Sequence, residues 1–125
     1  MIGYVTLGSS DLTKNAAFYD ALAAELGVAR MMETPTFIAW GVPGGGAGIG
    51  LTHPFDGKAA SVGNGVMVAL EAKDRAQVDR LHAIALAQGG ADEGAPGERF
   101  PGFYAGYFRD LDGNKLNAFV MEAAA

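Results

Sequence analysis

The chain has no cysteine. That absence excludes disulfide staples, thiolate metal sites and a cysteine nucleophile together. Basic charge is also scarce: nine Lys and Arg stand against 14 Asp and Glu, a formal net charge of −5. The nine are scattered, so there is no basic footprint for nucleic acid, and an acidic membrane surface would repel the chain. No stretch approaches the roughly 18 apolar residues of a membrane span. The opening "MIGYVTLG" has neither a basic flank nor a long apolar run, so it is not read as a signal peptide. The expectation is a cytoplasmic protein with no nucleic-acid or membrane partner. Histidine is limited to His53 and His82. Ser9, Ser10 and Ser61 sit in cap or loop contexts without a G-x-S-x-G elbow, so no nucleophile–base pair is visible.

What is present describes a globular domain. The 125 residues suit one domain. Half are hydrophobic and 18% are charged, which allows a packed core. The 19 glycines favour many turns and close backbone approaches.

Residues 1–8 alternate as a half-buried strand, with Val5 and Leu7 on one side and Tyr4 and Thr6 on the other. "SSDLTK" offers helix caps, and Phe18, Leu22 and Leu26 follow at helical spacing. Gly27 is a natural stop. Residues 28–33, 37–42 and 49–53 read as strands, broken by Pro35 and the turn "PGGGAG". Residues 64–72 read as a further strand, with Val66, Val68 and Leu70 on one face. Asp74 caps a second helix with the stripe Val78, Leu81 and Ala85, ended by Gly89-Gly90. Residues 90–102 read as loop-rich, with at most one short strand. The strands 103–109 and 115–121 are joined through Asp112-Gly113, a hairpin signal. Which face of 103–109 is which stays open, because both sides carry bulky residues.

The two halves repeat. A shift of 63 places Tyr4-Val5-Thr6-Leu7 on Met67-Val68-Ala69-Leu70, Asp11 on Asp74, Phe18 on Leu81 and Gly27 on Gly90. Strand, cap, stripe and stop in one register indicate a structural repeat of β-α-β-β-β units.

Three stretches carry a resemblance over essentially the whole chain: "YVTLGSSDLTKNAAFYDALAAELG", "GNGVMVALEAKDRAQVDRLHAIALAQGG" and "GFYAGYFRDLDGNKLNAF". Together with the repeat they resemble the vicinal oxygen chelate superfamily of glyoxalases, bleomycin resistance proteins and extradiol dioxygenases. The resemblance implies an α+β fold of two βαβββ modules, 1–53 and 64–122, within one domain spanning 1–125. Their curved mixed sheets would carry helices on the convex face and a ligand in the concave one. It implies a homodimer. Enzymes of the superfamily hold a divalent metal, which acts as a Lewis acid on adjacent substrate oxygens. The motifs place its four ligands at Tyr4, Gly50, Met67 and Asn117, and none of these is His, Asp or Glu.

Two functions therefore stay open. One is a binding protein that holds an apolar or aromatic organic molecule without metal or cofactor, as resistance members do. Its candidate ligand-binding residues are Tyr4, Trp40, Gly50, Met67, Asn117 and Phe119. The alternative is a glyoxalase-like lyase or dioxygenase-like enzyme with an atypical site. Tyr4 and Met67 read either as core residues filling a lost metal site or as a pocket wall with a phenol handle. Asn117 reads as a cavity amide bonded to a ligand, Tyr4 or water, or as a structural one. His53 touches either the ligand or its own loop, and His82, on the second helix beside the Val78, Leu81 and Ala85 stripe, reads as a boundary or interface residue. Arg109 and Lys115 flank the hairpin, as solvated strand ends or as a greeting for an anionic ligand. "DLDGN" lacks the sixth-position glycine and twelfth-position acid of a calcium loop, and "GVPGGGAGIG" is not a nucleotide motif.

Overall fold

The computed structural model describes residues 1–123. Its elements are β1 (Tyr4–Gly8), α1 (Leu12–Leu26), β2 (Ala29–Thr34), β3 (Phe37–Gly41), β4 (Gly48–Thr52), β5 (Val68–Glu71), α2 (Arg75–Ala87), β6 (Ala91–Phe100), β7 (Phe103–Arg109) and β8 (Lys115–Met121). They form two four-stranded mixed sheets of matching order, β1-β4-β3-β2 and β5-β8-β7-β6. In each, the edge strand runs parallel to its neighbour and the remaining pairs are antiparallel.

The helix boundaries follow local chemistry. The Asp11 carboxylate accepts the Lys14 amide at 3.1 Å, and the Asp74 carboxylate accepts the Gln77 amide at 2.8 Å. Each satisfies an amide that would otherwise lack a partner in the first turn. Gly27 ends α1 at φ +74°, a conformation open to glycine without strain.

One core joins the sheets. The first contributes Leu7, Ile38, Trp40 and Leu51, the second Phe108, Leu116, Ala118 and Val120. Phe18 on α1 is fully buried and lies 6.1 Å from the Phe108 ring, so α1 serves both halves. Burying a ring of this size stabilises by about 1.5–3 kcal/mol. Among the described residues, no strand of one sheet has a Cα within 8 Å of a strand of the other. The halves meet through α1, α2 and the β7–β8 connection.

Three details differ from the expectation. Residues 90–102 contain a ten-residue strand, β6, where the sequence allowed at most one short strand in a loop-rich stretch. Its glycines and Pro96 obscure the alternation, and the ladder absorbs them in irregularities at Asp92/Gly94, Gly94/Gly97 and Glu98/Phe100. The strand expected from residue 64 begins only at Val68. Ahead of it, the Val66 amide donates to Gly63 O and Gly65 takes φ +95°, a tight turn that leaves Val66 exposed. At the start of the chain, the first strand begins at Tyr4.

Candidate functional site

Each sheet has a helix-covered face and an open face. On the first sheet, strand register puts Tyr4, Thr6, Gly48, Gly50, Ala39 and Phe37 on the open side. Gly50 pairs with Thr6, and Asn117 pairs with Ala69, the residue 63 positions after Thr6. Gly50 and Asn117 are therefore topological equivalents, as the motif assignment requires.

Gly50 is a glycine for a steric reason. A Cβ there would stand 2.6 Å from Cε2 and Cζ of Phe37, so the ring occupies the space of any side chain. At Gly48 a Cβ would meet the Trp40 carbonyl oxygen at 2.8 Å and the Met31 methyl at 3.0 Å. Phe37 and Met31 were not among the sequence candidates. Only strand register, a non-local property, brings Phe37 over Gly50. Tyr4 stands at the exposed edge strand with 62% of its surface open.

On the second sheet, the pairs Tyr107–Asn117, Ala105–Phe119 and Phe103–Met121 share the open face. This resolves the two sides of β7. Tyr104 points the other way, its hydroxyl donating to Asp79 of α2, and Phe108 is in the core. Asn117 is 2% exposed, and its Oδ1 accepts no hydrogen bond from any described group. The contact with Tyr4 allowed by the sequence is thus not made by this atom. Phe119 is half-buried and stacks on Phe103 at 5.7 Å.

Trp40 stands apart from the open faces. It lies on the helix side of β3, opposite the face of Gly50, with 4% exposure. Its ring stands 5.3 Å from Tyr19, and its indole N–H donates to Asp20 at 2.8 Å. The phase of β3 puts Trp40 with Ile38, not with Phe37 and Ala39. Asp20 also takes two nitrogens of Arg30, at 2.9 and 2.7 Å. These bonds, chiefly Arg30's, hold its carboxyl below the usual range despite partial burial. Trp40 and Met67 do share another space, an apolar groove of about 640 Å³ between α1 and the edge strands β1 and β5. The six candidates therefore fall into three places: Tyr4 and Gly50 on the first open face, Asn117 and Phe119 on the second, and Trp40 and Met67 in the groove.

The histidines lie elsewhere. His53 lines a polar cleft of about 400 Å³ beside Ser10, Asp11 and Arg30. His82 is buried on α2 with Nε2 3.0 Å from an Asp92 carboxylate oxygen.

The "DLDGN" hairpin does more than turn. Asp110 is 4% exposed and has no basic partner among the described residues. Hydrogen bonds compensate its burial. Oδ2 accepts from Tyr19 OH at 2.6 Å, Asn15 Nδ2 at 3.0 Å and Asn114 Nδ2 at 2.9 Å. Oδ1 accepts the amides of Asp112 and Asn114, each at 2.9 Å. Asp112 takes Ser9 Oγ at 2.6 Å and Asn15 Nδ2 at 2.7 Å. Together with Asn114 Nδ2, which donates to Gly8 O at 2.9 Å, these bonds tie the second sheet's hairpin to β1 and α1. Burial, and next the Asp110 charge, push the Tyr19 hydroxyl well above its ordinary pKa.

The four motif positions do not fit a divalent metal. Gly50 offers no donor and Phe37 fills its place. Met67 offers a thioether, Tyr4 a phenol on the other sheet, and Asn117 one neutral oxygen, a poor set for such an ion. Among the described residues, no three His, Cys, Asp or Glu cluster to hold one. Likewise, no described helix is long and apolar enough to cross a membrane.

Known proteins agree with this architecture. The family model "Glyoxalase/Bleomycin resistance protein/Dioxygenase superfamily" matches residues 1–118. The chain is similar to a glyoxalase/bleomycin resistance protein from Albidiferax ferrireducens, with 35% identity and a TM-score of 0.88 over 95% of this chain and 97% of that one. It is also similar to a hypothetical protein from S. aureus, with 27% identity and a TM-score of 0.74 over 94% and 91%. A third likeness is to a protein from Agrobacterium tumefaciens, with 26% identity and a TM-score of 0.76 over 98% of both chains. No protein of curated function matches it. With the repeat, the sheet order and these likenesses in agreement, the chain belongs to the glyoxalase/bleomycin resistance protein/dioxygenase superfamily.

Proposed function

We propose that this protein is a metal-independent binder of a small apolar or aromatic organic molecule, held against its open sheet faces. The observation that carries this reading is the Phe37 ring over Gly50, where a Cβ would stand 2.6 Å away. It turns a metal-ligand position into an apolar wall. The unbonded Asn117 Oδ1 supports the same reading, because a buried acceptor without a donor costs about 1–3 kcal/mol. A ligand N–H or O–H would remove that cost.

The binding cavity forms in a homodimer. The two open faces belong to sheets whose strands do not approach each other, and Tyr4 at 62% and Met121 at 54% exposure leave apolar surface uncovered. A second copy could set its own second sheet against the first sheet of this one. We place the protein in the cytoplasm.

Calorimetric titration of chelator-treated protein with Zn(II), Ni(II), Mn(II) and Fe(II) tests metal independence. The expected result is no stoichiometric binding. Tight one-to-one binding of any of them would replace this reading with a lyase-like or dioxygenase-like enzyme.

A further inference from the structure

The second open face carries an ordered series of chemistries that the first lacks. Lys115, Asn117 and Phe119 alternate on it along β8. At about 3.3 Å per residue they span roughly 13 Å from cation to amide to ring. Beside them, the Arg99 guanidinium lies against two glycines. A Cβ at Gly97 would meet Nη1 at 2.9 Å, and one at Gly94 would meet Nη2 at 3.2 Å. The absence of side chains at both positions lets the guanidinium reach Tyr107, with Cζ 5.3 Å from the ring centroid. Lys115 Nζ stands 5.6 Å from the same ring.

Two cations thus converge on one aromatic ring in a chain of net charge −5. Among the described residues, neither forms an ion pair, whereas Arg30, Arg75, Arg80 and Arg109 all do. Arg99 donates to Ala95 O at 2.7 Å, which leaves most of its five N–H groups available. At the far end, Phe103 stacks between Phe119 and Phe100, at 5.7 and 4.8 Å. Glu71 pairs in register with Phe119, so the acidic charge sits at the aromatic end.

We propose that this face binds an amphipathic organic anion. Arg99 and Lys115 hold its charged head over Tyr107, Asn117 Oδ1 accepts a hydrogen bond from its middle, and the Phe103–Phe119 stack holds an aromatic body. Glu71 repels the head from the aromatic end and so fixes the ligand's direction. This assignment rests on the open face being a binding surface, and it adds the charge of the ligand.

A pair of dyes tests it. Anilinonaphthalene sulfonate carries an anionic head, and phenylnaphthylamine is nearly the same body without one. Fluorescence titration of the intact protein should show the sulfonate binding about tenfold more tightly at low salt, equivalent to about 1.4 kcal/mol. That advantage should shrink as salt rises. In an Arg99→Gln/Lys115→Gln variant the ratio of the two affinities should fall to near one, and Phe119→Ala should weaken both dyes. Equal affinities in the native protein, or a ratio unmoved by salt and by the double variant, overturn the anion assignment alone. Binding of neither dye overturns the binding reading with it.

Discussion

The Phe37 ring covers Gly50, with two ring carbons 2.6 Å from where a Cβ would stand. Gly50→Ala must displace that ring. We expect it to lose about 1–3 kcal/mol through overpacking. Adding Phe37→Leu should recover part of the loss, with a coupling energy above about 0.5 kcal/mol. Urea unfolding of the two single variants and the double variant measures it. Strict additivity would show that the ring does not guard this position.

Asn117 keeps a buried oxygen without a donor. Asn117→Leu keeps the approximate volume and removes that cost, so stability should rise by about 1 kcal/mol. Thermal unfolding should show the midpoint higher by several degrees. Binding of the neutral and anionic dyes should weaken at the same time. A lower midpoint would make Asn117 a structural amide instead.

Tyr19 sets an alkaline limit. Its folded pKa lies well above the ordinary value of 10.0, mainly through burial and then through the Asp110 charge. The neutral phenol is favoured in the folded state. Its contribution is fully present below pH 10 and is lost as pH rises toward the folded value. Stability of the native protein should therefore decline above about pH 10, and Tyr19→Phe should decline less steeply. Below that pH the variant should be less stable by about 1–2 kcal/mol, through the lost bond to Asp110. Unfolding midpoints from pH 7 to 11 check both parts; parallel curves would contradict them.

Tyr4 tests the proposed partner. At 62% exposure it makes little of the monomer's core, so Tyr4→Glu should change monomer stability by no more than about 0.5 kcal/mol. It should weaken self-association severalfold if a second copy covers the first open face. Sedimentation over a concentration series reads this. An unchanged dimer would place the interface elsewhere.

Much of the fold was legible because its signals are local. Asp11, Asp74 and Gly27 mark helix ends by chemistry that acts within a few residues. The 63-residue repeat carried the rest, because equivalent strands take equivalent places in the two sheets. β6 was hidden because Gly94, Pro96 and Gly97 break the alternation, while β7 still holds the strand in its ladder. The site was less legible. Phe37 reaches Gly50 only through the β3–β4 register, and Asp110 finds Asn15 across 95 residues. Trp40 turns to the helix side because it shares its phase with Ile38, opposite Phe37 and Ala39, and a single strand's alternation does not say which of its two faces is covered. Arg99 carries no motif, and its approach to Tyr107 depends on two glycines whose value appears only in three dimensions.

The most direct measurement is native mass spectrometry of the purified protein, which reports subunit number, metal and retained organic molecule together. The account predicts a metal-free dimer that carries an organic adduct, lost on mild denaturation. A stoichiometric Ni, Zn, Mn or Fe in the native species would contradict it.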